Sequence, residues 1–119
     1  MSTQEIAKRL AELCGKGQFE AAQKELYAND AVSIEPRATS EFAKETKGLK
    51  AIIEKGHKWS AGIEQVHSCS VSAPLIAGNS FALTMSMDIT AKGHGRMQLQ
   101  EVCVYQTHDD KITSEQFFM

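Results

Sequence analysis

The stretch Phe81-Ala82-Leu83-Thr84-Met85-Ser86-Met87-Asp88-Ile89-Thr90 decides the fold. Phe81, Leu83, Met85, Met87 and Ile89 alternate with Ala82, Thr84, Ser86, Asp88 and Thr90. Period two with one oily and one polar face is the pattern of a strand laid on a core. Turn-forming residues flank it, Ala77-Gly78-Asn79 before and Lys92-Gly93-His94-Gly95 after. Beyond those turns lie a strand at Val66–Ile76 and a long one at Arg96–Thr107. His108-Asp109-Asp110-Lys111 then turns into a closing strand at Ile112–Phe118. On the third of these four strands Met97, Leu99, Glu101, Cys103 and Tyr105 share one face.

The half before this meander reads differently. Ser2 and Glu5 form a capping box, and Ile6, Leu10 and Leu13 recur at helical spacing. Gly15 and Gly17 end that helix, and Phe19, Ala22 and Leu26 mark a second short one running to about Tyr27. Asn29-Asp30 reads as a turn, Ala31–Glu35 as a strand stopped by Pro36, and Arg37–Lys47 as a loop able to act as a lid. Leu49, Ile52, Ile53, Gly56, Trp59 and Ile63 predict a third helix ending near Gly62. The expected class is α+β: three N-terminal helices packed on a strongly curved antiparallel sheet, a cone enclosing a pocket.

At 119 residues, 42% hydrophobic and 24% charged, the chain fits one domain, 1–119, with one core. Thirteen basic against fifteen acidic residues leave a net charge of -2, so nucleic acid has no electrostatic footprint. No apolar run is long enough to span a bilayer, and the polar start Met1–Glu5 is no signal peptide. Cys14, Cys69 and Cys103 are odd in number and form no CxxC pair, which reads as reduced thiols in a cytoplasmic protein. No glycine-rich phosphate loop, nucleophile elbow or metal-ligand spacing is present, so neither cofactor nor metal is expected.

Glu25-Leu26-Tyr27-Ala28-Asn29-Asp30-Ala31, followed by Val32-Ser33-Ile34-Glu35-Pro36, resembles the helix-to-strand junction of NTF2-like, SnoaL-like proteins. Asp110-Lys111-Ile112 with Glu115-Gln116-Phe117-Phe118 is similar to their closing hairpin, and the order of elements agrees along the whole chain. That family contains isomerases, cyclases, dehydratases, an epoxide hydrolase, a nuclear transport factor and members without known activity. The resemblance therefore implies a pocket rather than a reaction.

Among its members, ketosteroid isomerase offers the nearest motif comparison. That enzyme's base precedes the proline ending the first strand, the place Glu35 occupies. Its neutral carboxylic acid lies on the third long strand, where Glu101 is the match. The oxyanion tyrosine of its first helix falls near Leu10, which cannot donate a hydrogen bond. Glu35 as base and Glu101 as hydrogen-bonding acid would suit enolisation, isomerisation, cyclisation or dehydration of a small hydrophobic carbonyl compound, without a cofactor.

Further pocket candidates come from strand and helix faces. Glu115 shares a face with Phe117 and is a possible third acid. Tyr27 either supplies a hydroxyl to the site or packs in the core with that hydroxyl bonded. Trp59 belongs to the apolar stripe of the third helix, as core or as pocket wall. His67 is expected on one face with Cys69 and Val71, as a hydrogen-bonded structural residue or a site base. Phe81, Leu83, Met85, Met87 and Cys103 are expected to line the cavity. Gln98, Gln100, Val102, Val104 and Gln106 with Thr113, Gln116 and Phe118 form the convex face, a plausible homodimer surface that the resemblance also implies. Three functions compete: a small-molecule-binding domain, the cofactor-free isomerase or cyclase, and a protein-interaction module.

Overall fold

A computed structural model describes residues 1–119. The elements are α1 (Thr3–Gly15), α2 (Phe19–Leu26), β1 (Tyr27–Ile34), β2 (Glu45–Lys47), α3 (Leu49–Ala61), β3 (Ile63–Val71), β4 (Leu75–Ala77), β5 (Ser80–Ala91), β6 (Gly95–His108) and β7 (Lys111–Phe118). Ser2 caps α1 in the reciprocal manner expected, its hydroxyl taking the Glu5 amide at 3.1 Å while Glu5 takes the Ser2 amide at 2.9 Å. Ile6, Ala7, Leu10, Leu13 and Cys14 bury the inner face of α1. Gly48 opens α3 at φ 95°, a left-handed conformation that costs glycine little.

The helices lie on one face of a single sheet ordered β2-β1-β7-β6-β5-β3, with β4 beside β5. Every inward residue of β5, from Phe81 to Ala91, is buried. Phe81 and Tyr105 stack across β5 and β6 with centroids 4.8 Å apart. The α+β class and the three-helix layer are as expected, and the sheet stays open rather than closing into a barrel. No helix is long and apolar enough to cross a membrane.

Four local expectations change. The sheet is mixed, because β1 and β7 run parallel, and an alternating pattern looks the same in either direction. Asn29 and Asp30 are no turn; they lie inside β1, where the register against β7 shifts between Tyr27 and Val32. The end of the expected lid is a strand, β2, paired with β1. The strand expected at Val66–Ile76 divides into β3 and β4, either side of Ser72-Ala73-Pro74, since proline cannot continue a ladder.

Candidate functional site

The register of β1, β7, β6 and β5 sets the site. Ser33 stands opposite Glu115, Glu115 opposite Tyr105, and Tyr105 opposite Phe81. Directly opposed residues share a face, so this row crosses the concave side of the sheet. The neighbouring row is Phe117, Cys103 and Leu83, and Glu101 stands opposite Met85. Strand parity thus carries Glu101 and Glu115 inward, as the alternation predicts.

Glu115 is the deepest of these acids, 4% exposed. Two hydroxyls face it from β1: Tyr27 donates to its Oε1, and Ser33 donates to its Oε2 at 2.6 Å. Burial pushes the Glu115 carboxyl up from its ordinary value, against the pull of those two donors and of Lys55. Desolvation drives the Tyr27 phenol well above its usual range, so it remains a donor.

Lys55 enters this interior from α3. Its ammonium donates to Ser33 Oγ at 2.6 Å and to Glu35 Oε1 at 2.9 Å. The Lys55 side chain is 16% exposed and that of Glu35 27%, so this ion pair is shielded where most are solvated. The Lys55 ammonium also stands over the Phe117 ring, 5.8 Å from its centroid. Glu101 is raised to about 6, first by burial and then by the charge of Glu35. The Cys103 thiol donates to Glu101 Oε1 at 3.8 Å, and burial lifts that thiol strongly.

Of the residues picked out from sequence, Glu35, Glu101, Glu115, Tyr27, Cys103 and Phe117 come together in this group. Phe81, Leu83, Met85 and Met87 are buried in the adjoining core, and half-buried Trp59 packs against it. His67 does not join them. The register of β3 slips between Val66 and Ser68, which turns His67 outward to bond Thr90 Oγ1 at 2.7 Å on the polar face of β5. Cys69 and Val71, beyond the slip, do pack on the core.

Two members went unnoticed in sequence. Ser33 lies between Ala31 and Glu35 on one strand face, small enough to pass as filler. Lys55 lies three residues after Ile52 and four before Trp59, inside the apolar stripe of α3, and a cation in that position was the available signal.

Two surface clefts open on the side of α3. One of about 230 Å³, between α3 and the segment around Phe42, reaches the group at Lys55. The other, about 610 Å³ and lined by Asn29, Leu49, Lys50, Ile53, Glu54 and His57, touches none of its members. The smaller cleft, not the larger, therefore adjoins the group of buried carboxyls. Lys58 closes over the first cleft, donating to the Glu41 carbonyl and standing 5.0 Å over the Phe42 ring.

Three helices laid on one face of a curved, mixed sheet define the NTF2-like class. The chain belongs to the SnoaL-like domain family, whose model matches residues 1–119. A chain from Mesorhizobium loti, provisionally named a SnoaL-like polyketide cyclase, is 33% identical, covers 100% of both chains and superposes with a TM-score of 0.91. A protein of Catenulispora acidiphila DSM 44928 with a ketosteroid isomerase-like fold, in complex with trimethylamine, is 20% identical over 97% of this chain and 85% of that one, TM-score 0.74. A Bacillus subtilis chain provisionally named an isomerase is 19% identical over 98% and 88%, TM-score 0.73. No curated protein matches at a significant level.

Proposed function

We propose that this domain binds a small hydrophobic carbonyl compound on its concave face and moves a proton on it without a cofactor. The observation that carries this reading is the contrast between two carboxyls. Glu101 is raised to about 6 by burial and by Glu35, so it keeps its proton to higher pH than an ordinary glutamate and, up to about pH 6, can donate it to a carbonyl oxygen. Glu35 has Oε1 tied to Lys55, which leaves Oε2 to accept a proton from carbon. Fixing the base in this way supplies the positioning that proton transfer requires. The cyclase name of the 33% identical relative supports carbonyl chemistry, and the isomerase name of the more distant one agrees with it.

The test is hydrogen exchange next to a carbonyl. The protein, 2-tetralone and deuterated buffer are combined, and loss of the α-proton signal is followed by NMR. The protein is expected to accelerate exchange, and Glu35→Gln to slow it by about 10²-fold or more. Exchange no faster than in buffer alone would overturn the reading.

A second reading concerns assembly. Val102 and Phe118 are paired across β6 and β7 on the outer face, 42% and 48% exposed, and support a homodimer through that surface.

A further inference from the structure

Glu115 is a buried acid to which the proposed chemistry gives no role. Hydrogen bonds connect it to one that has a role: Glu35 to Lys55, Lys55 to Ser33, Ser33 to Glu115. The polarity of this chain is fixed by chemistry. An ammonium has only donors, so Ser33 Oγ accepts from Lys55 and its own hydrogen is free for Glu115 Oε2. Tyr27 bonds to no other side chain and donates to Oε1, so both oxygens of Glu115 act as acceptors. This is the pattern around a carboxylate ready to take a proton.

We propose that Glu115 is the internal proton acceptor of the site, receiving through Lys55 and Ser33 the proton that Glu35 takes up. The inference rests on the proposed role of Glu35 as base. Lys55 gives a proton to Ser33 Oγ, Ser33 passes its own hydrogen to Glu115 Oε2, and protonated Glu35 replaces the one Lys55 has lost. Glu35 returns to carboxylate, Glu115 becomes the acid, and Lys55 and Ser33 end as they began. Only O–H and N–H bonds change, and charge and proton count are conserved.

Geometry gives Glu115 little alternative supply. It is 4% exposed, so bulk water does not reach it directly. The groups facing it are Tyr27 and Ser33 from β1, Glu35 just beyond the end of β1, Lys55 from α3, Cys14 from α1, and Glu101, Cys103 and Tyr105 from β6. Among these, burial raises both tyrosines and both thiols, which makes them poor proton carriers near neutrality. Glu101 acts on Glu115 through space and is bonded to Cys103 instead. The Lys55–Ser33 path is the hydrogen-bonded route between Glu115 and the partly exposed Glu35.

The experiment reads the rate at which Glu115 exchanges its proton, and it needs no substrate. With carbon-13 in the glutamate side chains, the Glu115 carboxyl is followed by NMR through a pH titration. A connected carboxyl gives one averaged signal that moves with pH. A disconnected one must wait for local opening, and shows two signals or a broadened one, with exchange slower by about tenfold or more. Ser33→Ala and Lys55→Met, which cut the chain at different links, are both expected to slow exchange, and Ser33→Thr, which keeps the hydroxyl, to restore it. Unchanged exchange in either folded cut variant would overturn the relay, since a merely structural serine would alter stability but not that rate. An intact relay in a protein that exchanges no tetralone protons would sink the carbonyl reading alone, and tetralone exchange without a relay would sink this one alone.

Discussion

Lys55 Nζ and Ser33 Oγ are 2.6 Å apart, and this one bond fastens helix α3 to strand β1 inside the cone. Glu35 takes a second bond from the same ammonium at 2.9 Å. A single cation thereby serves an interior that holds three carboxyls, Glu35, Glu101 and Glu115.

Replacing Lys55 by Met tests how far that cation reaches. The ammonium pulls both Glu101 and Glu115 downward, so without it both hold their protons to higher pH. Glu101 is expected to rise above its value of about 6. The variant also leaves Glu35 without its partner, and a loss of about 1–3 kcal/mol in urea unfolding at pH 7 is expected for a pair this shielded. Carbon-13 titration of Glu101 checks the first outcome, and an unmoved Glu101 would show that Lys55 does not govern the group.

Glu101 itself gives a pH dependence whose sign can be worked out. Its carboxyl goes from an ordinary 4.5 to about 6 on folding. Below pH 4.5 it is protonated in both the folded and unfolded chains, and contributes nothing. As pH rises from 4.5 to 6 the unfolded chain ionises first, so the folded state loses stability across that window. At about 1.4 kcal/mol for each pH unit between the two values, the full loss above pH 6 is at most about 2 kcal/mol. Glu101→Gln never ionises. It is expected to match the parent chain at pH 4 and to exceed it in stability at pH 7 by up to that amount, as read by urea melts at the two pH values. A variant less stable at pH 7 would contradict the burial described.

The outer sheet face offers a test of assembly. Val102 and Phe118 oppose each other there, half exposed. If two chains meet on this face, the double variant Val102→Glu, Phe118→Glu brings like charges together at the contact and should dissociate the pair. Sedimentation equilibrium is expected to give a dimer for the parent chain and a monomer for the variant. A monomeric parent would end the proposal.

How much of this was legible in the sequence varies from residue to residue. The inward parity of Glu101 could be read because β5 and β6 pair without interruption from Ser80 to Ala91. His67 could not be read the same way, because the slip beside it in β3 depends on pairing with β5 and leaves no mark in the local pattern. Glu115 was visible as a strand residue, but its depth comes from Tyr27 and Ser33, which lie 88 and 82 positions away. Lys55 carries no local mark of its burial, since a lysine on a helix is usually solvated. Its pairing with Glu35 joins two elements, and no spacing within either one encodes it.

The parallel seam between β1 and β7 has a kinetic consequence. It is stitched between residues more than eighty positions apart, so closing it requires a large loop to be drawn together before any contact rewards the effort. Helices α1 and α2 and the β5–β6 hairpin can organise early from near neighbours. The cluster of Tyr27, Ser33 and Glu115 belongs to the late-assembling part of the molecule, and a chain caught before that seam closes would look largely folded while these groups remained apart.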